Sequence, residues 1–161
     1  MSPITTIANS STDATSPAAC RRTMIASWIA QVVAALIMGQ TLFFKFTGAP
    51  ETTYIFKQMG LGDLGRFGSA FSELAAAILL LIPVPRLNAV GAALGMGVMF
   101  GAIASHLTKL GIAIPNFDAQ GNQLTTTDGG LLFTLAVTVF VACAVVLFIR
   151  RKALPIVGSR L

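Results

Sequence analysis

Charge is what this sequence has least of. Of its 161 residues only 11% are Asp, Glu, Lys or Arg, against about 25% in an ordinary soluble domain. A chain so poor in charge cannot clothe a water-facing globule. It has one histidine, His106, and two distant cysteines, Cys20 and Cys143. A single histidine excludes a bis-His haem site within one chain and leaves no zinc ligand set, so no metal is expected. The cysteines make no CxxC pair and no disulfide framework; Cys143 reads as buried apolar filler. No glycine-rich phosphate loop, flavin motif or haem motif is present, so no cofactor is evident in the chain.

What the sequence does have is apolar. Hydrophobic residues make up 55% of it and its mean hydropathy is +0.79. Four membrane spans of about 20 residues use about 80 positions, too many to leave a separate soluble catalytic domain. Four uncharged or nearly uncharged runs are found, at about 23–44, 64–82, 87–108 and 129–149. The first is longer than a signal h-region and is followed by Lys45 rather than a small-residue cleavage site, which predicts an uncleaved span. The second ends at Pro83-Val84-Pro85-Arg86, a turn that cannot continue a helix. The expected fold is all-α, a polytopic antiparallel four-helix bundle. Residues 1–22, rich in Ser, Thr, Pro and Ala, are expected as a flexible cytoplasmic tail, and 150–161 as a basic one.

The net charge of +5 belongs to this topology and not to nucleic acid. The two termini and the Pro83–Arg86 turn carry seven Lys and Arg, and the two opposite loops carry four, namely Lys45, Lys57, Arg66 and Lys109. That bias puts both termini in the cytoplasm. In the first outer loop, Pro50 suits a first helical position, Glu51 the positive end of a helix dipole and Gly60 a stop, which predicts a short interfacial helix. In the second, the stretch 111–127 alternates weakly around Ala119-Gln120-Gly121-Asn122, the place for a small hairpin turn.

Span 3 carries Gly91, Gly95, Gly97 and Gly101, overlapping GxxxG pairs that predict close helix packing. Glu73 lies nine residues inside Leu64, about 13 Å deep, where an ionised carboxylate must be protonated, paired or wet. Side chains lean toward a helix's N-terminus, so Glu73 on a descending span and Lys45 and His106 on ascending ones lean toward one another. They form the candidate polar pocket. Lys45 reads equally as a snorkelling residue at a span end, and His106 also as a hydrogen-bonded core histidine. Gln40, one turn before Lys45, Glu51 and Asp128 are secondary candidates; Asp128, in Thr127-Asp128-Gly129-Gly130, is also a natural N-cap for span 4.

These residues bear a family likeness. Lys45-Phe46-Thr47-Gly48-Ala49-Pro50-Glu51-Thr52, Ser72-Glu73-Leu74 leading to Leu79-Leu80-Leu81-Ile82-Pro83, Ser105-His106-Leu107-Thr108 and Asp128-Gly129-Gly130-Leu131-Leu132-Phe133 resemble the DoxX family of small four-helix bacterial membrane proteins. The likeness runs from about Gln31 to Arg151 and departs at 112–127, where many members are shorter. It implies an accessory or quinone-proximal subunit of a membrane redox system, with a transient quinone and an oxidoreductase partner, in keeping with a non-catalytic subunit and not a stand-alone enzyme. Two other readings remain open: a small proton-coupled transporter using Glu73 and His106, and a structural or stress-response assembly protein, either of them a homo-oligomer in membrane lipid.

Overall fold

Proline marks where helices begin. The computed structural model describes residues 17–151 (side chains from residue 21), and three of its five α-helices start on Pro: α1 (Pro17–Thr47), α2 (Pro50–Gln58) and α4 (Pro85–Ser105). A proline costs nothing there, because the first-turn N–H groups have no intrahelical acceptor. The remaining helices are α3 (Gly62–Leu81) and α5 (Leu131–Arg150). A π-helical turn, His106–Leu110, extends α4, and a two-stranded antiparallel hairpin, β1 (Pro115–Phe117) with β2 (Gln123–Thr127), fills the connection to α5.

The four long helices are each long and apolar enough to cross a membrane. The chain is thus an all-α polytopic membrane protein with a small hairpin in one loop. Helix α1 packs on α3 and α5, and α4 packs on the same two, so the bundle is a four-cornered ring with α2 laid across one end of α3. Small side chains face inward: Ala34, Ala70, Ala76, Ala89, Ala92 and Cys143 are buried. Large apolar ones face outward on every long helix, among them Leu36, Phe71, Phe100 and Phe148. Outward-facing Phe and Leu would aggregate in water and belong against lipid tails.

The structure moves several expected boundaries. Helix α1 begins six residues before Thr23 and takes in residues 17–22 of the expected flexible tail, because Pro17 and the alanines after it start a helix well. The rest of the two expected tails, 1–16 and 152–161, lies outside the described residues, and so does the side chain of Cys20. The break between α3 and α4 narrows to Ile82–Val84, since Pro85 is itself helical. Gly129 and Gly130 have φ of 63° and 83°, so α5 starts two residues after the expected 129.

Two turns show how the sequence closes the ring. Between α3 and α4, the buried Asn88 donates its Nδ2 to the carbonyls of Leu79, Leu80 and Ile82 at 3.2, 2.8 and 2.7 Å. It thereby meets acceptors that the end of α3 would otherwise leave bare in hydrocarbon. Between α1 and α2, Gly48 has φ 71°. That conformation favours glycine, and a side chain there would also sit 3.1 Å from the Arg66 guanidinium, close enough to push it by a few tenths of an ångström.

Candidate functional site

Glu73 sits mid-helix in α3 and is only 2% exposed; Lys45, near the end of α1, is 14% exposed and forms an ion pair with it. The antiparallel run of α1 against α3 brings these two leaning side chains together. Two hydroxyls complete the arrangement. Thr41 Oγ1 lies 3.1 Å from Glu73 Oε2 and 2.8 Å from the Met38 carbonyl. Lys45 Nζ donates to Ser69 Oγ at 3.0 Å, and Ser69 lies 3.4 Å from Glu73 Oε1. The carboxylate is therefore matched by an ammonium and by hydroxyl groups, which is what its depth requires.

Arg66 holds this pair from the loop side. It is counted among the loop charges in the sequence, yet it is only 8% exposed. Its guanidinium donates to Asp63 Oδ1 through Nε and Nη2 at 3.1 and 2.7 Å and to the Lys45 carbonyl through Nη1 at 2.5 Å. Such a fork ties the start of α3 to the end of α1 and fixes the backbone from which Lys45 projects.

His106 is not a partner of Glu73, contrary to the three-way cluster expected from the sequence. Its Nδ1 lies 2.8 Å from the Gly111 carbonyl, and its ring meets Phe133 edge to face at 5.7 Å. The π-helical turn produces this: the chain rewinds after Ser105 and stops at Gly111, φ 80°, which returns the carbonyl to the ring. His106 is 5% exposed.

Lys45, Glu73 and His106 nevertheless share one cavity of about 590 Å³, walled by α1, α2, α3, α4 and α5 at the end that carries α2 and the hairpin. Most of its wall is apolar, including Met38, Phe56, Met99 and Val139, and Gln40 and Glu51 reach it too. Gly97 and Gly101 also line it, and a side chain on either would meet no atom within 4 Å. This corrects their expected role as packing residues: they widen a void. Gly91 and Gly95 do pack, the first against the backbone of α3 and the second against Cys143 Sγ, 2.9 Å from where its side chain would begin.

Asp128 touches the cavity but its carboxylate is spent on backbone. Oδ1 accepts from the N–H groups of Ile114 and Gly130 at 2.8 and 3.0 Å, and Oδ2 accepts from Leu132 N at 3.1 Å. It serves the start of α5 from two residues before the helix's first capping position, Gly130, and pins the base of the hairpin at the same time. In the hairpin turn, Asp118 accepts from the side chain and N–H of Asn122 and from Gln120 N. These bonds, led by the Asn122 side chain, hold its carboxyl below the usual value.

Among the described residues no three His, Cys, Asp or Glu side chains come together in a group able to hold a metal ion. What the cavity offers is a broad apolar wall with a donor, an acceptor and a fixed imidazole at its polar side. That set suits an amphiphile with an oxygen-bearing head.

No curated protein and no solved structure matches the chain. The model of the DoxX-like family matches residues 29–115, more than half of the sequence. The matched stretch holds Lys45, Glu73, Arg66 and His106, and leaves out β2, Asp128 and α5. The four-helix membrane bundle and this match together place the chain in the DoxX-like family.

Proposed function

We propose that this DoxX-like membrane protein is an accessory, quinone-proximal subunit of a membrane redox system, and that its cavity holds the head of an isoprenoid quinone. The observation that carries this reading is the 590 Å³ cavity, apolar over most of its wall and polar at the Lys45–Glu73 pair. A quinone ring with its first isoprene units is itself apolar apart from opposed oxygens, and Lys45 is a suitable donor to one of them. The electrons would come from a partner; this chain's residues bind and orient the head and exclude water around it.

The test is purification of the full chain from its membrane in mild detergent, with mass spectrometry of copurifying proteins and of extracted quinones. A bound quinone and an oxidoreductase partner are expected. Gly101→Leu, whose Cβ would meet nothing within 4 Å and whose longer side chain takes up cavity volume, should lose the quinone and keep the fold. A quinone-free protein that also ignores an added short-chain quinone overturns the proposal.

The chain is placed by this reading in a bacterial cytoplasmic membrane with both termini inside. Four spans put the two ends on one side, and the basic residues favour the cytoplasm for that side. A cytoplasm-only reporter fused after Leu161 should be active; activity confined to the opposite face would reverse the orientation. One observation favours a second function, proton-coupled transport: Glu73 and Lys45 are ionisable groups at membrane depth, a common feature of proton pathways. Liposomes carrying the protein and a trapped pH dye separate the two, because only a transporter changes lumenal pH when solute is added.

A further inference from the structure

The hydrogen bond from His106 to Gly111 settles which nitrogen of the ring faces a ligand. A backbone carbonyl only accepts, so Nδ1, 2.8 Å from the Gly111 oxygen, carries the proton of the neutral ring and the lone pair is on Nε2. The ring cannot exchange its nitrogens without breaking that bond, and Phe133 packs edge to face against it. No hydrogen bond engages Nε2 among the described residues and the ring lines the cavity, so toward a ligand there Nε2 accepts but does not donate.

Lys45 behaves differently. Its ammonium has three N–H donors, of which Glu73 and Ser69 take two. The third serves any oxygen, because carbonyl and hydroxyl oxygens both accept. Lys45 therefore does not distinguish an oxidised head from a reduced one. His106 does. A ligand hydroxyl donates to Nε2, whereas a carbonyl oxygen in the same place sets lone pair against lone pair and leaves Nε2 dry and unpaired.

We propose that the cavity selects the hydroxylated form of its ligand, a quinol or similar phenol, over the matching carbonyl form, with His106 Nε2 accepting the hydroxyl proton in the hydrogen bond. The inference rests on the reading that the cavity holds a quinone-type head, and adds which redox form is retained. One buried hydrogen bond made in one form and missing in the other corresponds to a preference of about tenfold.

Two measurements on the full chain in detergent test it. The first is titration with decylubiquinone and, under anaerobic reduction, decylubiquinol. The quinol should bind about tenfold tighter, and His106→Phe should remove most of the difference while leaving quinone affinity little changed, the Glu73 carboxylate being already engaged by Lys45, Ser69 and Thr41. Equal affinity of the parent for both forms overturns the selectivity and leaves the quinone site standing. Failure to bind either form overturns the quinone site and the selectivity with it. The second measurement needs no variant, so it stands even where His106→Phe does not fold. The chain has one histidine, so 15N-histidine labelling gives one pair of ring signals. They should report the Nδ1–H tautomer, with Nε2 shifting on addition of quinol and not of quinone. An Nε2–H tautomer overturns the proposal.

Discussion

Replacing Gly91 with alanine should loosen the bundle, while the same change at Gly101 should tighten it. A methyl group on Gly91 would lie 2.8 Å from Leu79 Cβ, 2.9 Å from Leu80 N and 3.0 Å from the Ala76 oxygen. Two of those atoms are backbone of α3, which cannot swing aside as a flexible side chain does. Relief to ordinary contact, beyond 3.4 Å, requires α3 and α4 to separate by roughly 0.5 Å along a close-packed seam. Overpacking of this kind costs about 1–3 kcal/mol, against which alanine's better helix propensity contributes up to about 1 kcal/mol. At Gly101 no atom lies within 4 Å, so only the favourable part, about 0.5–1 kcal/mol, operates. The two variants should thus differ by about 1–3 kcal/mol although both add one methyl group to the same helix. Unfolding of each by SDS in mixed micelles, followed by far-UV circular dichroism, measures the difference. A Gly91→Ala protein as stable as Gly101→Ala would refute the seam between α3 and α4.

Lys45→Met should destabilise the protein by about 3–5 kcal/mol, since it strands a buried carboxylate, and adding Glu73→Gln should restore most of the loss; the same unfolding assay reads both, and an additive double variant would show that the two groups do not interact. Asp128→Ala should cost about 0.5–2 kcal/mol and raise amide hydrogen exchange at Ile114, Gly130 and Leu132 together, and unchanged exchange at Ile114 would detach the hairpin from α5. The lowered Asp118 carboxyl favours the formed turn only when ionised, so its contribution is present above the unfolded-state value and is lost as pH falls through the folded one. Exchange protection at Gln120 and Asn122 should therefore persist at neutral pH and decay only below about pH 4; loss already at pH 6 would contradict the turn.

The helices were legible in the sequence because length and hydropathy alone define a span, and because Pro50 suits a first helical position; Pro17 and Pro85 also start helices, but the same residue read there as tail and as turn, since proline breaks a helix as readily as it begins one. Glu73 and Lys45 were legible for a similar reason: a charge in an apolar run has to be answered by something. Thr41 was not, since a hydroxyl inside a span usually bonds its own helix and carries no sign of a carboxylate on another one; Ser69 falls on the same stripe of α3 as Glu73, but nothing in its spacing shows that it also meets Lys45. Arg66 looked like a loop charge because its burial depends on Gly48 and Asp63 folding over it. The four glycines of α4 share one spacing, yet two touch α3 or α5 and two border empty space; only the placement of the neighbouring helices tells them apart. His106 was aimed at the right region but assigned the wrong partner, because a π-helical turn changes the direction of a side chain and leaves no pattern in the sequence.

The filling of the bundle is uneven from one end to the other. Past Met38 and Val139, away from α2, the interior is closed by Ala34, Ala77, Leu80, Ala92 and Val146, and at the far end Ser27 bonds Gln31 and Arg150 across α1 and α5. The molecule is a cup with a solid base. None of Ala34, Ala77, Leu80, Ala92 and Val146 lines the cavity, so whatever lies beside Lys45 and Glu73 has a floor of packed side chains beneath it on the side away from α2.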